Sequence, residues 1–194
     1  MEQQQPPAGP RWLAFAALIA GMLMGSSAQA AAFDVSDVET HGDWQVATLS
    51  APGEAEGPRH FRAVESASYT DATLSVNATP GVCDMPWLEM RVRLDTLEQA
   101  TPETRVLPAQ LRVDDKTLQK SVVEFFTQPA NNGFYVHFYL NDRARLLNDM
   151  RSGEQLFLGF DLGERDPWYM IFSMDGAGDA IDAALTRCRR ATGI

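Results

Sequence analysis

The chain has 194 residues, and its 26 acidic and 16 basic side chains leave a formal net charge of −10. An acid excess of this size repels nucleic-acid phosphates and anionic lipid, and no Lys/Arg cluster offsets it, which argues against nucleic-acid binding. The simplest role of the charge is solubility; a cationic partner is compatible with it but not required.

In chain order, residues 1–30 read as a cleavable export signal. A polar stretch, Met1–Arg11, precedes an apolar run, Trp12–Met24, shorter than the roughly 20 residues that span a bilayer. Gly25-Ser26-Ser27 and then Ala28-Gln29-Ala30 follow, matching the small-x-small pattern of a signal peptidase site. Arg11 supplies the positive charge of the leader, weakened by Glu2, and no Cys stands near the cleavage site to carry a lipid. An uncleaved anchor is the alternative. The expected mature chain starts near Ala31, lies in the periplasm or is secreted, and has no stable membrane span. It keeps the charge of −10, because the leader removes one acid and one base. The remaining ~164 residues suffice for one domain with a real core. We expect a lead-in over 31–42 and a single β-rich domain over 43–190.

Cys83 and Cys188 are the two cysteines. In an oxidising compartment an even pair closes a disulfide, here around a loop whose chain entropy amounts to roughly 4–5 kcal/mol. Free thiols or a metal pair are the competing readings, but no C-x-x-C spacing supports them.

Within the domain, Gly42-Asp43-Trp44 opens a strand to Leu49, and Ser50–Pro58 reads as an exposed loop. Strands follow at His60–Ser66 and Thr73–Ala78, ending in the turn Thr79-Pro80-Gly81. Trp87–Asp95 alternates: Leu88, Met90, Val92 and Leu94 face a core, while Glu89, Arg91, Arg93 and Asp95 face water. Further strands are expected at Ala109–Val113, turning at Asp114-Asp115-Lys116, and at Ser121–Gln128 and Phe134–Leu140. The last two are joined through Asn132-Gly133 as a hairpin. A short helix over Asp142–Arg151, capped by Asn141 and stopped by Gly153, would bury Ala144, Leu147 and Met150. Strands Gln155–Leu162 and Trp168–Met174 flank the loop 163–167. A second helix, from about Asp179 to Arg190, places Ile181, Ala184, Leu185 and Cys188 on one stripe, with acids early and arginines late. Eight or nine short strands without crossover helices predict a mainly β fold. The expected form is an antiparallel β-sandwich or partly open barrel, with a short internal helix and a C-terminal helix.

Chemistry-bearing patterns are few. Tyr135, His137 and Tyr139 share a strand face opposite Phe134, Val136, Phe138 and Leu140. If the latter are core, the former make an exposed aromatic row, to which Trp168 is added as a fourth candidate. A strand covered on both faces is the alternative. The three histidines, His41, His60 and His137, show no helical metal spacing, so no metal and no cofactor are expected. Asp175-Gly176-Ala177-Gly178-Asp179 resembles a calcium loop but lacks the other ligands; it reads as a turn whose Asp caps a helix. No Gly-x-Ser-x-Gly elbow is present. The carboxylates Glu89, Asp95, Asp161, Glu164 and Asp166 cannot be paired across a cleft from sequence. No catalytic residue is therefore assigned, and Asn77-Ala78-Thr79 is a glycosylation tripeptide of low specificity.

Three segments together resemble known families: Gly42-Asp43-Trp44-Gln45-Val46, Leu107–Lys116, and Trp168–Cys188 with its strand, Gly turn, helix and closing Cys. They are similar to small exported envelope proteins of the invasion-associated locus B type, and to periplasmic TagO/VasI-type accessory proteins of type VI secretion. The locus B pattern carries a Cys soon after the opening Trp, where this chain has Ala47, Thr48 and Leu49. The resemblance implies a non-catalytic envelope protein. The leading expectation is thus a periplasmic, non-enzymatic domain binding an envelope or secretion-system protein. The alternatives are a secreted inhibitor of a cell-wall or proteolytic hydrolase, and a hydrolase whose acids meet only in the fold.

Overall fold

The computed structural model describes residues 33–54, 57–94, 104–127, 132–161, 163 and 167–193. The expected export signal, the strand ends at Asp95, Gln128 and Leu162, and most of the loops 129–133 and 163–167 lie outside these residues. The strands are β1 (Asp34–His41), β2 (Trp44–Ser50), β3 (Arg59–Glu65), β4 (Ala72–Ala78), β5 (Trp87–Arg93), β6 (Thr104–Val113), β7 (Gln119–Thr127), β8 (Gly133–Tyr139), β9 (Gln155–Phe160) and β10 (Trp168–Ser173). Helix α1 (Arg143–Arg151) lies between β8 and β9, and α2 (Ala177–Ala191) follows β10. All strand pairings are antiparallel, in the order β1-β2-β3-β4-β5-β8-β7-β6-β9-β10. The chain is mainly β with an internal and a C-terminal helix, as its patterning predicts.

Period-two alternation selects the inner face. Leu74 and Val76, Leu88 and Met90, Val136 and Phe138, Val123 and Phe125, Leu156 and Leu158, and Met170 and Phe172 all enter one core. Each large apolar side chain fully buried there contributes about 1.5–3 kcal/mol. Helix α2 packs against β2, β3 and β4, and its Ala177, Ala180, Ile181, Ala184 and Leu185 join Trp44, Val46 and Phe61 in that core. Small residues on its stripe let the helix approach the sheet closely. Cys188, on the same stripe, is bonded to Cys83 in the loop after β4, closing a separation of 105 residues. The disulfide fits an oxidising compartment.

The two ends of the sheet meet through side chains instead of a backbone ladder. On the open side of β10, Ile171 N donates to the Tyr69 hydroxyl (2.9 Å) and Ser173 N to Ser68 Oγ (3.0 Å). Trp44 Nε1 donates to the Ser173 carbonyl at 2.8 Å. Next to it, the turn between β1 and β2 is tied down by Asp43 N donating to the Asp175 carbonyl at 3.0 Å. The sheet is therefore curled on itself as a sandwich-like, partly open barrel.

Four local expectations change. Residues 34–41 of the expected lead-in pair with β2 as edge strand β1, bulged between Ser36 and Glu39, with Asp37 at φ 52°. The acidic, exposed character of this segment is what an edge strand tolerates, and Arg187 binds the Asp37 carbonyl and Glu39. Strand β6 starts at Thr104, five residues early, and accommodates Pro108 because β9 pairs only from Ala109 onward, so no ladder needs the missing N–H. Asp142, not Asn141, caps α1, its Oδ1 accepting from Arg145 N at 3.0 Å, and the buried set is Leu146, Leu147 and Met150, leaving Ala144 exposed. Helix α2 starts at Ala177, and its cap is Gly176 with no side-chain bond from an Asp.

Gly176 is required twice over. Its φ is +82°, and a Cβ there would lie 1.9 Å from the His41 carbonyl oxygen. Gly176→Ala is expected to destabilise the fold by about 3 kcal/mol or more, combining left-handed strain with a backbone clash, as read by chemical denaturation.

Glu65 is the unexpected member of the inner face: it is fully buried. Its Oε1 accepts from Ala67 N (3.0 Å), Ser68 N (2.8 Å) and Ser68 Oγ (2.9 Å), while Oε2 has no partner among the described residues. Burial holds its pKa above the ordinary value of 4.5, against the lowering effect of the Ser68 and Ala67 bonds and with help from the charge of Asp43. A folded-state pKa above the unfolded one means stability that is fully present below pH 4.5 and lost as pH rises through the folded value. Glu65→Gln, which cannot ionise, is expected to remove that decline; thermal melts of both proteins from pH 4.5 upward would show it as a flatter profile for the variant.

Candidate functional site

The outer face of β3, β4, β5, β8, β7 and β6 gathers most of the chain's candidate residues. Cross-strand register sets Ser75, Glu89, His137, Glu124 and Val106 in one row across five strands. A second row runs Thr73, Arg91, Tyr135, Phe126 and Thr104. A third sets Arg62, Asn77 and Trp87 side by side on β3, β4 and β5, while Tyr139, Val122 and Pro108 adjoin on β8, β7 and β6.

The β3–β5 part is a buried polar network. Arg62 Nε donates to Asn77 Oδ1 (2.6 Å), and its Nη2 to Glu89 Oε1 (3.3 Å). Asn77 Nδ2 donates to Ser75 Oγ (3.1 Å), and Ser75 Oγ to the Glu89 carbonyl (3.3 Å). His137 Nε2 meets Glu89 Oε2 at 2.8 Å. Ser75, Asn77 and Glu89 are buried despite facing outward, and the expectation that Glu89 faces water is corrected. A charge taken out of water needs partners, and Arg62 and His137 provide them. The sequence signal for this was the run Thr73, Ser75, Asn77 on β4: short polar side chains with no reach to bulk water. Asn77 is committed to Arg62 and Ser75 and is only 2% exposed, so the glycosylation tripeptide presents no accessible acceptor in the fold.

On β7 and β8 the face opens. Tyr139 is 56% exposed, and its hydroxyl donates to Glu124 Oε2 at 2.5 Å. Val122 and Val106 are exposed beside it. Phe126 lies edge-on to His137 (4.6 Å) and stacks on Tyr135 (5.3 Å); Arg91 sits 5.9 Å over the Tyr135 ring and donates to Asn132 Oδ1. Tyr135, His137 and Tyr139 are thus together on one outward face, the first two half-buried. Trp168 is not part of it. Met170 and Phe172 alternate with it on the core side of β10, and its ring packs on Phe160 at 4.9 Å. The outward residues of β10 are Tyr169 and Ile171, both exposed.

Other chemistry is dispersed. His60 bonds Thr79 Oγ1 at 2.9 Å and His41 lies 3.3 Å from Glu39, so the three histidines stand apart. Among the described residues no group of three His, Cys, Asp or Glu side chains is placed to hold a metal ion. The Glu89–His137 pair orients an imidazole, but no hydroxyl or thiol is hydrogen-bonded to His137 among those residues. Among the described residues, a cleft of about 850 Å3 lined by Pro108, Gln110, Lys120, Asp161 and Tyr169 holds one acid and none of the aromatic row. A smaller one, about 500 Å3, adjoins the disulfide and carries Asp84 and Asp142 with Arg143, Arg151 and Arg189; Asp142 there is the cap of α1. Among the described residues no helix is long and apolar enough to cross a membrane.

No protein-family model matches the chain, and no curated protein matches it. Its structure is similar to the crystal structure of invasion associated protein B from Bartonella henselae, with a TM-score of 0.50 and 17% identity over 79% of this chain and 99% of that one. At this identity the likeness is one of fold, and it falls on the first of the two families that the sequence motifs resemble.

The short bond to Glu124 raises the phenol pKa of Tyr139 above its ordinary 10.0, with smaller contributions from desolvation and from the carboxylate charge. Glu124→Gln is expected to return it toward 10.0, which an ultraviolet or NMR titration of the tyrosines against a Tyr139→Phe blank would record.

Proposed function

We propose that this chain is a non-enzymatic accessory protein of the bacterial envelope, acting in the periplasm or outside the cell, that binds a protein partner through the outer face of β8, β7 and β6. The observation that carries this reading is the exposed set Val106, Val122 and Tyr139, standing beside a hydrogen-bonded polar network that holds β3, β4, β5 and β8 in register. Tyr139 is of the residue type enriched at interface hot spots, and Val106 and Val122 add apolar area beside it on a rigid sheet. The disulfide supports the compartment. The fold likeness to invasion associated protein B supports the envelope setting by analogy of fold alone. A secretion component is the partner class this setting favours.

In-cell crosslinking of the tagged, exported protein tests the reading. An envelope or secretion protein should be recovered with the wild type, and recovery should fall about tenfold or more when Val122→Ser and Tyr139→Ser are combined, a loss typical of removing interface anchors. Tyr169→Ser, on the outer face of β10, should leave recovery unchanged. If the double variant melts like the wild type and still captures the same protein, this face is not the interface. Recovery of a cell-wall or proteolytic hydrolase, with loss of its activity, would establish the inhibitor instead.

A further inference from the structure

Within that reading, the partner's chemistry at the centre of the face is specified by Glu124. We propose that Glu124, with Tyr139 and Phe126 beside it, receives an arginine side chain of the partner protein.

Glu124 differs from the other acid of its row. Glu89 has the Arg62 guanidinium as a counter-charge and the His137 ring as a second partner. Glu124 has only the Tyr139 hydroxyl, a neutral donor, on Oε2; among the described residues no cation lies within ion-pair distance of it, and Oε1 is left to accept. Its neighbours are apolar or aromatic: Val122 and Phe126 along the strand, Val106 and His137 across it. Glu124 is half-buried, so water still reaches its carboxylate. A partner covering Val106, Val122 and Tyr139 would strip its solvent, and a desolvated carboxylate without a counter-charge is strongly unfavourable. A partner that brings a cation to Glu124 is therefore favoured at this face over one that covers it with apolar surface alone.

Arginine fits better than lysine. Its planar guanidinium can donate to Oε1 and lie against a ring at once, whereas an ammonium is a hydrated point charge. The face already holds one guanidinium against a ring, Arg91 over Tyr135 at 5.9 Å, which donates to the Asn132 amide oxygen. The Tyr139 bond fixes the carboxylate before the partner arrives, which lowers the ordering cost of binding. The net charge of −10 attracts a basic surface from a distance.

The probe is N-acetyl-argininamide, titrated into the isotope-labelled exported protein and followed by NMR. Saturable shifts should centre on Glu124, Phe126, His137 and Tyr139, weaken about tenfold in Glu124→Gln as a charge-assisted bond is lost, and persist in Glu154→Gln, a remote exposed acid. N-acetyl-lysinamide should bind more weakly. Shifts spread evenly over the acidic surface, or unchanged affinity in Glu124→Gln, would overturn the assignment. Crosslinking in cells separates the two levels. If Glu124→Gln captures the partner as well as the wild type does while the Val122→Ser, Tyr139→Ser variant does not, the face stands and the arginine falls. If neither variant affects capture, the docking face itself is wrong.

Discussion

Everything in this fold depends on how the free edge of β10 is satisfied. A strand edge carries unpaired N–H and C=O groups that are a ready template for pairing with another strand. Here Ser68, Tyr69 and Trp44 supply partners for them, from β2 and the loop after β3. That closure requires the sheet to curl, and the curl creates the interior that α2 fills. Filling it brings Cys188 to Cys83. The same curl turns β5, β8 and β7 outward, so the aromatic face follows from the closure even though it shares no residue with it.

The inner and outer faces solve different problems. Inside, interdigitated apolar side chains give density, and Glu65, the one acid there among the described residues, is held by neutral donors. Outside, β3 to β5 carry polar residues too short to reach water, so they bond to each other across the strands. Cross-strand pairs are the units of sheet stabilisation, and the Arg62, Asn77, Glu89 and His137 chain links four adjacent strands, β3, β4, β5 and β8. An interface next to such a network starts from a nearly fixed geometry.

Much of this was legible from local pattern. Alternation over Trp87–Asp95 and Phe134–Leu140 located both strands and turned Leu88, Met90, Val136 and Phe138 inward, because period two is a property of the strand itself, but Leu94, expected in the core, is exposed. The helical stripe of α2 pointed Cys188 inward, and parity paired it with Cys83. What failed required knowing neighbours. Trp168 looked like a surface ring, since a single strand cannot say which of its faces is inside, and β10 alternates in the opposite sense to that expectation. Glu89 was assigned to water because alternation ignores depth on a curved outer face. The segment 34–41 lacked an apolar pattern, and only pairing with β2 makes it a strand. Of the four expected surface aromatics, three share a face; Phe126, which joins them, lay on the next strand of the hairpin and could have been found by extending the register through Asn132-Gly133.

Three glutamates show how far environment alone can divide one side-chain type. Glu65 is enclosed among neutral donors and next to Asp43, so the proton is the cheapest counter-charge and its pKa rises. Glu89 is enclosed as well, but Arg62 and His137 reach it, and its charge becomes part of the scaffold. Glu124 is held by a neutral donor like Glu65 but is only half-buried, so water still reaches it, whereas Glu65 is enclosed and Glu89 is bonded by Arg62 and His137. Of the three, only Glu124 has its electrostatic demand supplied by something a binding partner displaces. A shared fold at 17% identity says nothing about such positions. They are decided by what each carboxylate touches: among the described residues neither Glu65 nor Glu124 has a cation, and of these two only Glu124 keeps contact with solvent.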